Sequence, residues 1–529
     1  IIYNDRVLAT TGASACNSAL ITISGPVTCQ PINWFNPTTV TTGVFSPAEA
    51  AFLFTKETGT TSYDQKLYGG SVSGTLFDLP AGGVSGAFGV EYRTDEIDDI
   101  PGFNARNSNL WGQTAAGRTK GSDTVKEVFG EFEVPLLKDL PMVEKLTLNL
   151  SGRWTDYESY GSDTTYKVGL NWQIEEQLRF RGSVGTSFRA PALYELFLAN
   201  QTAFSAQTSV DPCIRWDTSS NPQIVENCCP NGIGLPVGWT NPNSSALIIT
   251  GGGAGVLDAE TSDAYTAGFV WTPDYLPFRA AIDWWRIEVD NQVAQFGSAN
   301  ITNQCYGDPD FPNSPFCDLF TRELNVNAPN YGQITEVRNS YVNIANQVAE
   351  GVDVNFRLQK DFGEYRFTTN AELTYNFVDT TQTFETFPEE QNRGLLYNNK
   401  WVAQIDFRLD NGPWSYNWSM DIYSAASNDA YYGGDTFGWR GFADCAFSTS
   451  TTCVSGKYDQ SVGMHITNDV SVRYRAENWE VVAGVDNLFD KDPPLLSTGS
   501  GANRIGNAIA ISNYDVLGRR YFLSAGYKF

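Results

Sequence analysis

The residues KLTLNLSGRWT (145–155) alternate without a break between apolar and polar positions. Leu146, Leu148, Leu150, Gly152 and Trp154 fall on one side, and Lys145, Thr147, Asn149, Ser151 and Arg153 on the other. A period of two is the mark of a half-buried strand. The pattern recurs in YRFTTNAELTYNF (365–377), WVAQIDFRL (401–409) and WSYNWSMDI (414–422). Fifteen strands are predicted, at about 64–78, 82–95, 123–136, 144–157, 162–173, 177–188, 259–272, 277–291, 345–359, 364–378, 396–409, 413–424, 464–475, 478–488 and 514–529. IIYNDRVL, at the start, is a candidate for the upper end of a sixteenth, and ITEVRNSYVN (334–343) for an extension of one strand above the others.

A soluble antiparallel sheet with one wet face would show the same alternation. Two features favour a membrane wall. Apolar faces open or close on Trp154, Tyr365, Trp401 and Trp414, as aromatic girdles do at membrane interfaces. Connections also alternate between short, such as KDFGE (360–364), DNGP (410–413) and AEN (476–478), and long, such as 190–258, 293–335, 379–395, 425–464 and 489–513. Short periplasmic turns and long extracellular loops define an outer-membrane barrel, and only a closed barrel satisfies strand backbone in lipid. The expected fold is all-β, a transmembrane antiparallel β-barrel of about 15–16 strands.

Mean hydropathy is −0.28, and no window reaches the roughly 18 consecutive apolar residues of a membrane helix. A membrane strand needs only about 9–11 residues, half of them facing away from lipid. The net charge of −25, with no basic run, argues against nucleic acid as a partner. The chain starts at Ile1 with no signal peptide, which reads as a processed chain or a fragment.

All nine cysteines fall in predicted long connections: Cys16 and Cys29, Cys213, Cys228 and Cys229, Cys305 and Cys317, Cys445 and Cys453. Their spacing within single loops suggests local disulfides Cys16–Cys29, Cys305–Cys317 and Cys445–Cys453, with Cys213 bonded to Cys228 or Cys229. Zinc is disfavoured by the single histidine and the lack of a CxxC pair. Disulfides imply an oxidising compartment.

Several stretches resemble the barrel of a TonB-dependent outer-membrane receptor: GSVGTSFRAPALYELF (182–197), LDAETSDAYTAGFVW (257–271), NQVAEGVDVNF (346–356), VVAGVDNLFDKDPP (481–494) and YDVLGRRYFLSAGYKF (514–529). LFDLPAGGVSGAFGVEYR (76–93), with the paired loop cysteines, looks like the carbohydrate-type subgroup. The resemblance implies a 22-stranded barrel in the outer membrane of a Gram-negative bacterium, of which residues 1–529 are the C-terminal part. The N-terminal plug and the first strands would lie outside this chain. It also implies import of a small molecule or oligosaccharide powered through the TonB complex, and a terminal strand whose Tyr527 and Phe529 signal to the barrel assembly machinery.

Competing readings are a passive channel of 16–18 strands and a surface structural or adhesive barrel. No catalytic constellation is found, and His465 lies on the polar side of its strand. No cofactor is expected; DEIDDI (95–100) offers oxygen ligands for calcium but matches no defined calcium loop. Candidate ligand contacts are the loop residues Trp34, Phe35, Trp216, Trp239, Tyr431, Tyr432, Phe437, Trp439 and Arg440, since rings beside polar groups suit sugar stacking.

Overall fold

The computed structural model describes residues 1–11, 16–240, 244–384, 387–427, 461–496, 508–509 and 514–528. Fifteen strands run in chain order through one antiparallel sheet, and Glu390–Gln391 adds a short sixteenth beside Tyr365–Gln382. The fifteen are Thr60–Leu79, Gly82–Ile100, Thr119–Leu140, Val143–Tyr157, Gly161–Glu175, Leu178–Arg189, Glu260–Trp271, Phe278–Gln295, Tyr341–Phe362, Tyr365–Gln382, Trp401–Asn411, Trp414–Tyr423, His465–Arg475, Trp479–Asp486 and Arg520–Tyr527.

Register places like beside like. Leu148 lies between Val134 and Leu170, and Leu150 between Phe132 and Val168. On the opposite face Asn149 lies between Glu133 and Gly169, and Ser151 between Glu131 and Lys167. One face is therefore apolar and the other polar, as lipid outside and water inside require. The apolar face ends, next to the short turns, in an aromatic band. Trp271 meets Phe278 at 5.1 Å, Trp414 meets Tyr474 at 4.7 Å, and Tyr474 meets Trp479 at 5.3 Å. Trp479 lies across from Tyr527. Gly363 (φ +63°) and Gly412 (φ +54°) let two of these turns close in two residues.

Several local expectations are corrected. The strand expected from 396 begins at Trp401, because Tyr397 adopts φ +77° and the Asn399 side chain donates to Ser424 O at 2.6 Å. The strand expected from 514 begins at Arg520; Gly518 turns the backbone at φ +67°, and Arg519 N donates to Asp490 Oδ1 at 2.9 Å. ITEVRNSYVN is divided: Ile334–Arg338 joins a separate loop sheet, and Tyr341 opens a wall strand. The alternation of short and long connections fails once, where residues 158–160 alone join two strands on the loop side. IIYNDRVL is not strand. Asn4–Thr10 is a helix, and Ile2 and Tyr3 bridge to Phe54 and Leu110. Leu523 and Ala525 pair with Ala483 and Val481. The sheet thus begins at Thr60–Leu79 and ends at Arg520–Tyr527, and among the described residues these two strands do not pair with each other.

The loops have cores of their own. Residues 190–259 and 296–340 combine into a cap with a four-stranded sheet (Gln201–Ala206, Ser245–Thr250, Ile334–Arg338, Phe320–Arg322) over Val210, Ile248, Phe296, Ile301, Ile334 and Val337. The disulfides Cys213–Cys228 and Cys305–Cys317 staple it, and Cys16–Cys29 staples the first loop; Cys229 is free. Cys445 and Cys453 lie outside the described residues.

The two faces differ in what they tolerate. Leu148→Arg and Phe407→Arg are expected to cost about 2–4 kcal/mol each and to depress assembly, while Asn149→Arg and Gln404→Arg assemble close to normally. Folding yield in lipid vesicles measures this; equal losses on both faces would refute the register.

Candidate functional site

A cleft of about 650 Å³ opens on the loop side of the polar face, lined by Tyr63, Arg93, Asp95, Asp123, Glu127, Arg153, Tyr157, Phe188, Arg189 and Tyr194, among others. Adjacent strands deliver these groups. Arg93 Nε donates to Asp95 at 2.9 Å, and Asp95 also accepts from Tyr63 Oη at 2.9 Å and Gln65 Nε2 at 2.7 Å. Arg153 donates to Glu127 at 2.8 Å, and Thr155 Oγ1 to the same carboxylate at 3.1 Å. Arg189 forks between Glu195 (3.0 Å) and Glu260 (2.6 Å). Tyr157 stacks on Tyr160 at 5.0 Å, with Phe188 edge-on at 6.1 Å. Below, a second cleft of about 810 Å³ runs along the inner wall past Ser73, Glu131, Asn149, Lys167, Arg181 and Asp283. Arg181 grips Asp283 through two bonds at 2.7 and 2.6 Å.

The sequence stretches singled out above acquire structural roles here. Arg189 of SFRAPALYELF bonds Glu195 within the same stretch and Glu260 of LDAETSDAYTAGFVW. Val293 N donates to Glu260 at 2.7 Å, tying in a third strand. In VVAGVDNLFDKDPP, Asn487 is buried at φ +51°; its N–H donates to Asp469 at 2.7 Å and its side chain exchanges two bonds with the backbone of Lys491. Asparagine suits such a left-handed position because its short side chain bonds locally.

The loop aromatics divide. Phe35 is 89% exposed. Trp34 packs edge-on against Phe45 at 6.0 Å and donates to Thr10 O at 3.3 Å. Trp216 is buried beside the Cys213–Cys228 bridge and donates to Pro236 O at 3.1 Å. Trp239 packs against Tyr331 at 6.2 Å in the same cluster. Trp34, Trp216 and Trp239 are therefore parts of loop cores and do not line the vestibule. Tyr431, Tyr432, Phe437, Trp439 and Arg440 lie outside the described residues. Residue type flags an aromatic group but not whether a loop folds over it. The groups that do line the vestibule, Tyr63, Arg93, Tyr157, Phe188 and Tyr194, are not among the candidate ligand contacts expected from the sequence; Phe188 and Tyr194 lie within SFRAPALYELF, a stretch quoted for its family resemblance.

The cap is locked by one buried ion pair. Arg322 forks onto Asp211 at 2.9 and 2.5 Å and donates to Tyr306 Oη at 2.8 Å and Gly332 O at 2.6 Å. Both charged side chains are almost fully buried. In the first loop, Asp5 accepts from the N–H groups of Ile23 and Ser24 at 2.9 and 2.8 Å. Burial pushes its carboxyl up, but these bonds outweigh burial and hold it below its ordinary 3.8.

A membrane-spanning antiparallel wall with a polar inner face, short turns at one end and folded loops at the other defines an outer-membrane β-barrel of the receptor type. The family model described as "TonB dependent receptor-like, beta-barrel" matches residues 30–488, and the chain belongs to that family. A variant of the ferric enterobactin receptor PfeA of Pseudomonas aeruginosa superposes with TM-score 0.57 at 16% identity, covering 93% of this chain and 56% of that one. The siderophore receptor PirA of Acinetobacter baumannii gives 0.53 at 16% identity, covering 89% and 55%. At this identity the likeness is one of fold. The heme/hemopexin utilization protein C of Haemophilus influenzae is 26% identical over 163 residues, 27% of this chain and 21% of that protein. The chain thus spans about half the length of these solved structures.

Two outcomes test the loop chemistry. Arg322→Ala leaves Asp211 buried without its cation, which costs about 3–5 kcal/mol; proteolysis of the cap should accelerate while the wall stays folded, and an unchanged cleavage rate would contradict this. For Asp5, a folded value below 3.8 means that its contribution is present above that value and is lost as pH falls through the folded value. Relative to the intrinsic exchange rate at each pH, protection of amides in residues 4–11 and 16–24 should fall on acidification, and Asp5→Asn should be less protected at neutral pH with a flatter acid response.

Proposed function

We propose that this protein is part of the barrel of a receptor that imports a nutrient across the outer membrane, with energy delivered through the TonB complex. The observation that carries the reading is the vestibule: a cleft facing the loop side, above a polar inner wall, in a chain of this family. An open channel closed by residues 1–8 loses support, since that segment folds as a helix with two bridges to neighbouring loops. The preceding part of the same polypeptide would supply the plug and the strands that cover the sheet edges. Support comes from physics: each unpaired backbone group in lipid costs several kcal/mol. Tyr527, outward on the terminal strand, serves the assembly signal in this reading; Phe529 lies outside the described residues.

The reading includes no catalysis and no cofactor. His465 is buried edge-on against Tyr514 at 4.8 Å. The DEIDDI carboxylates are largely engaged by the protein itself: Asp95 by Arg93, Asp98 by Arg118 at 2.6 Å, and Asp99 by Thr61 at 2.5 Å.

The test compares cells with the intact gene, cells lacking it and cells lacking TonB, by mass spectrometry of the spent medium. The same compound should persist in both mutant cultures. Depletion that depends on this protein but not on TonB would overturn active import.

A further inference from the structure

Beside the two tight turns at Gly363 and Gly412, at the opposite end of the strands from the vestibule, a cavity of about 470 Å³ opens on the polar face of the wall. Register strings a row of side chains across it: Asp361 lies opposite Arg366, Arg366 opposite Asp410, Asp410 opposite Ser415, Ser415 opposite Arg473, and Arg473 opposite Val482. Three of the four guanidiniums that line the cavity have carboxylates. Arg366 bonds Asp361 at 2.8 Å, Arg408 bonds Asp410 at 2.8 Å and Arg475 bonds Glu480 at 3.1 Å. Arg473 differs: it forms no ion pair among the described residues, and its Nε is buried without an acceptor. We propose that this pocket takes a carboxylate side chain from the polypeptide that precedes Ile1. The inference rests on the receptor reading above and names a point at which that preceding part grips the wall.

Three arguments support it. First, the row alternates in sign from Asp361 to Asp410 and then stops alternating. Ser415 and Val482 flank Arg473, so neither neighbouring strand sets a carboxylate opposite it. Ser415 is itself engaged, its Oγ donating to Asp410 at 2.6 Å and accepting from Arg408 at 3.4 Å. Glu364, on the turn, lines the cavity but forms no ion pair among the described residues. An unmet donor on a charged group is costly, and a carboxylate would give Arg473 the charge-assisted contact that its neighbours already have. Second, the row one residue away, Phe367, Leu409, Tyr416 and Val472, is the apolar one. The cavity therefore faces away from lipid, and a lipid headgroup is not its occupant. Third, a free anion at a half-buried guanidinium competes with salt and water. A side chain on the same polypeptide arrives at an effective concentration that is roughly millimolar.

The experiment is zero-length carbodiimide cross-linking of the full-length protein in outer-membrane vesicles, read by peptide mass spectrometry. A carbodiimide joins a carboxylate to an amine and leaves guanidiniums alone, so Arg473→Lys turns the site into its own probe. A link should form between position 473 and an Asp or Glu that precedes Ile1. Arg475→Lys calibrates the chemistry, because Glu480 already lies beside it; it should link position 475 to Glu480. Arg473→Gln, which removes the charge, should speed proteolysis of the preceding part by roughly tenfold, the loss of one charge-assisted contact.

No link from position 473, under conditions where position 475 links to Glu480, would overturn the inference. A link from position 473 to Glu364, Asp410 or any other carboxylate of this chain, or to a separate protein, would overturn it equally. Loss of the link with TonB-dependent depletion of the medium intact overturns the docking site and leaves import standing. A link into the preceding part, in a protein whose depletion of the medium does not need TonB, overturns import and leaves the docking site standing.

Discussion

Backbone hydrogen bonding in a solvent that offers none is the constraint from which the rest of this structure follows. A strand crossing lipid must exchange every N–H and C=O with a neighbouring strand. The chain meets this with fifteen strands paired antiparallel in sequence order. Once the ladder is fixed, side chains must alternate between lipid and lumen. The apolar column through Leu148 and Leu150 and the polar column through Asn149 and Ser151 are two sides of one requirement. The aromatic band beside the short turns marks where lipid gives way to water.

Where the chain leaves the membrane, the constraint lifts and ordinary protein chemistry resumes. The cap builds a small hydrophobic core, staples it with two disulfides and closes it with the Asp211–Arg322 pair. The vestibule lies between these regimes. It is carried on wall strands, which hold its groups in register, but its upper rim comes from the segment after Arg189 that turns toward the cap. Its three arginines, Arg93, Arg153 and Arg189, are each engaged by a carboxylate of the wall or its rim.

The wall was legible in the sequence because each face of each strand meets a single medium, so a period of two survives along its whole length. All fifteen strands were readable on that basis, and so was the sidedness of the loops. Strand ends were less so: at 396–400 and 514–519 positive φ at Tyr397 and Gly518 turns the chain before the wall strand begins. The cap was legible only in its disulfides, which follow from cysteine spacing within single loops. Its decisive pair joins residues 111 apart, and no local period announces such a contact. The vestibule was half legible. Arg189 stood within a quoted stretch, but its role depends on Glu260, 71 residues further on. Trp216 and Trp239 show the converse, since exposure inferred from loop position fails when the loop folds on itself.

Under the proposed function, this sheet is one arc of a closed wall whose remaining strands come from the preceding part of the same polypeptide. Hydrogen exchange of the full-length protein in outer-membrane vesicles tests it at the two edge strands. Amides of residues 61–78 and 521–526 that face away from Gly82–Ile100 and Trp479–Asp486 should exchange as slowly as those inside the sheet. Fast exchange at either edge, in a protein whose other strands are protected, would contradict the account.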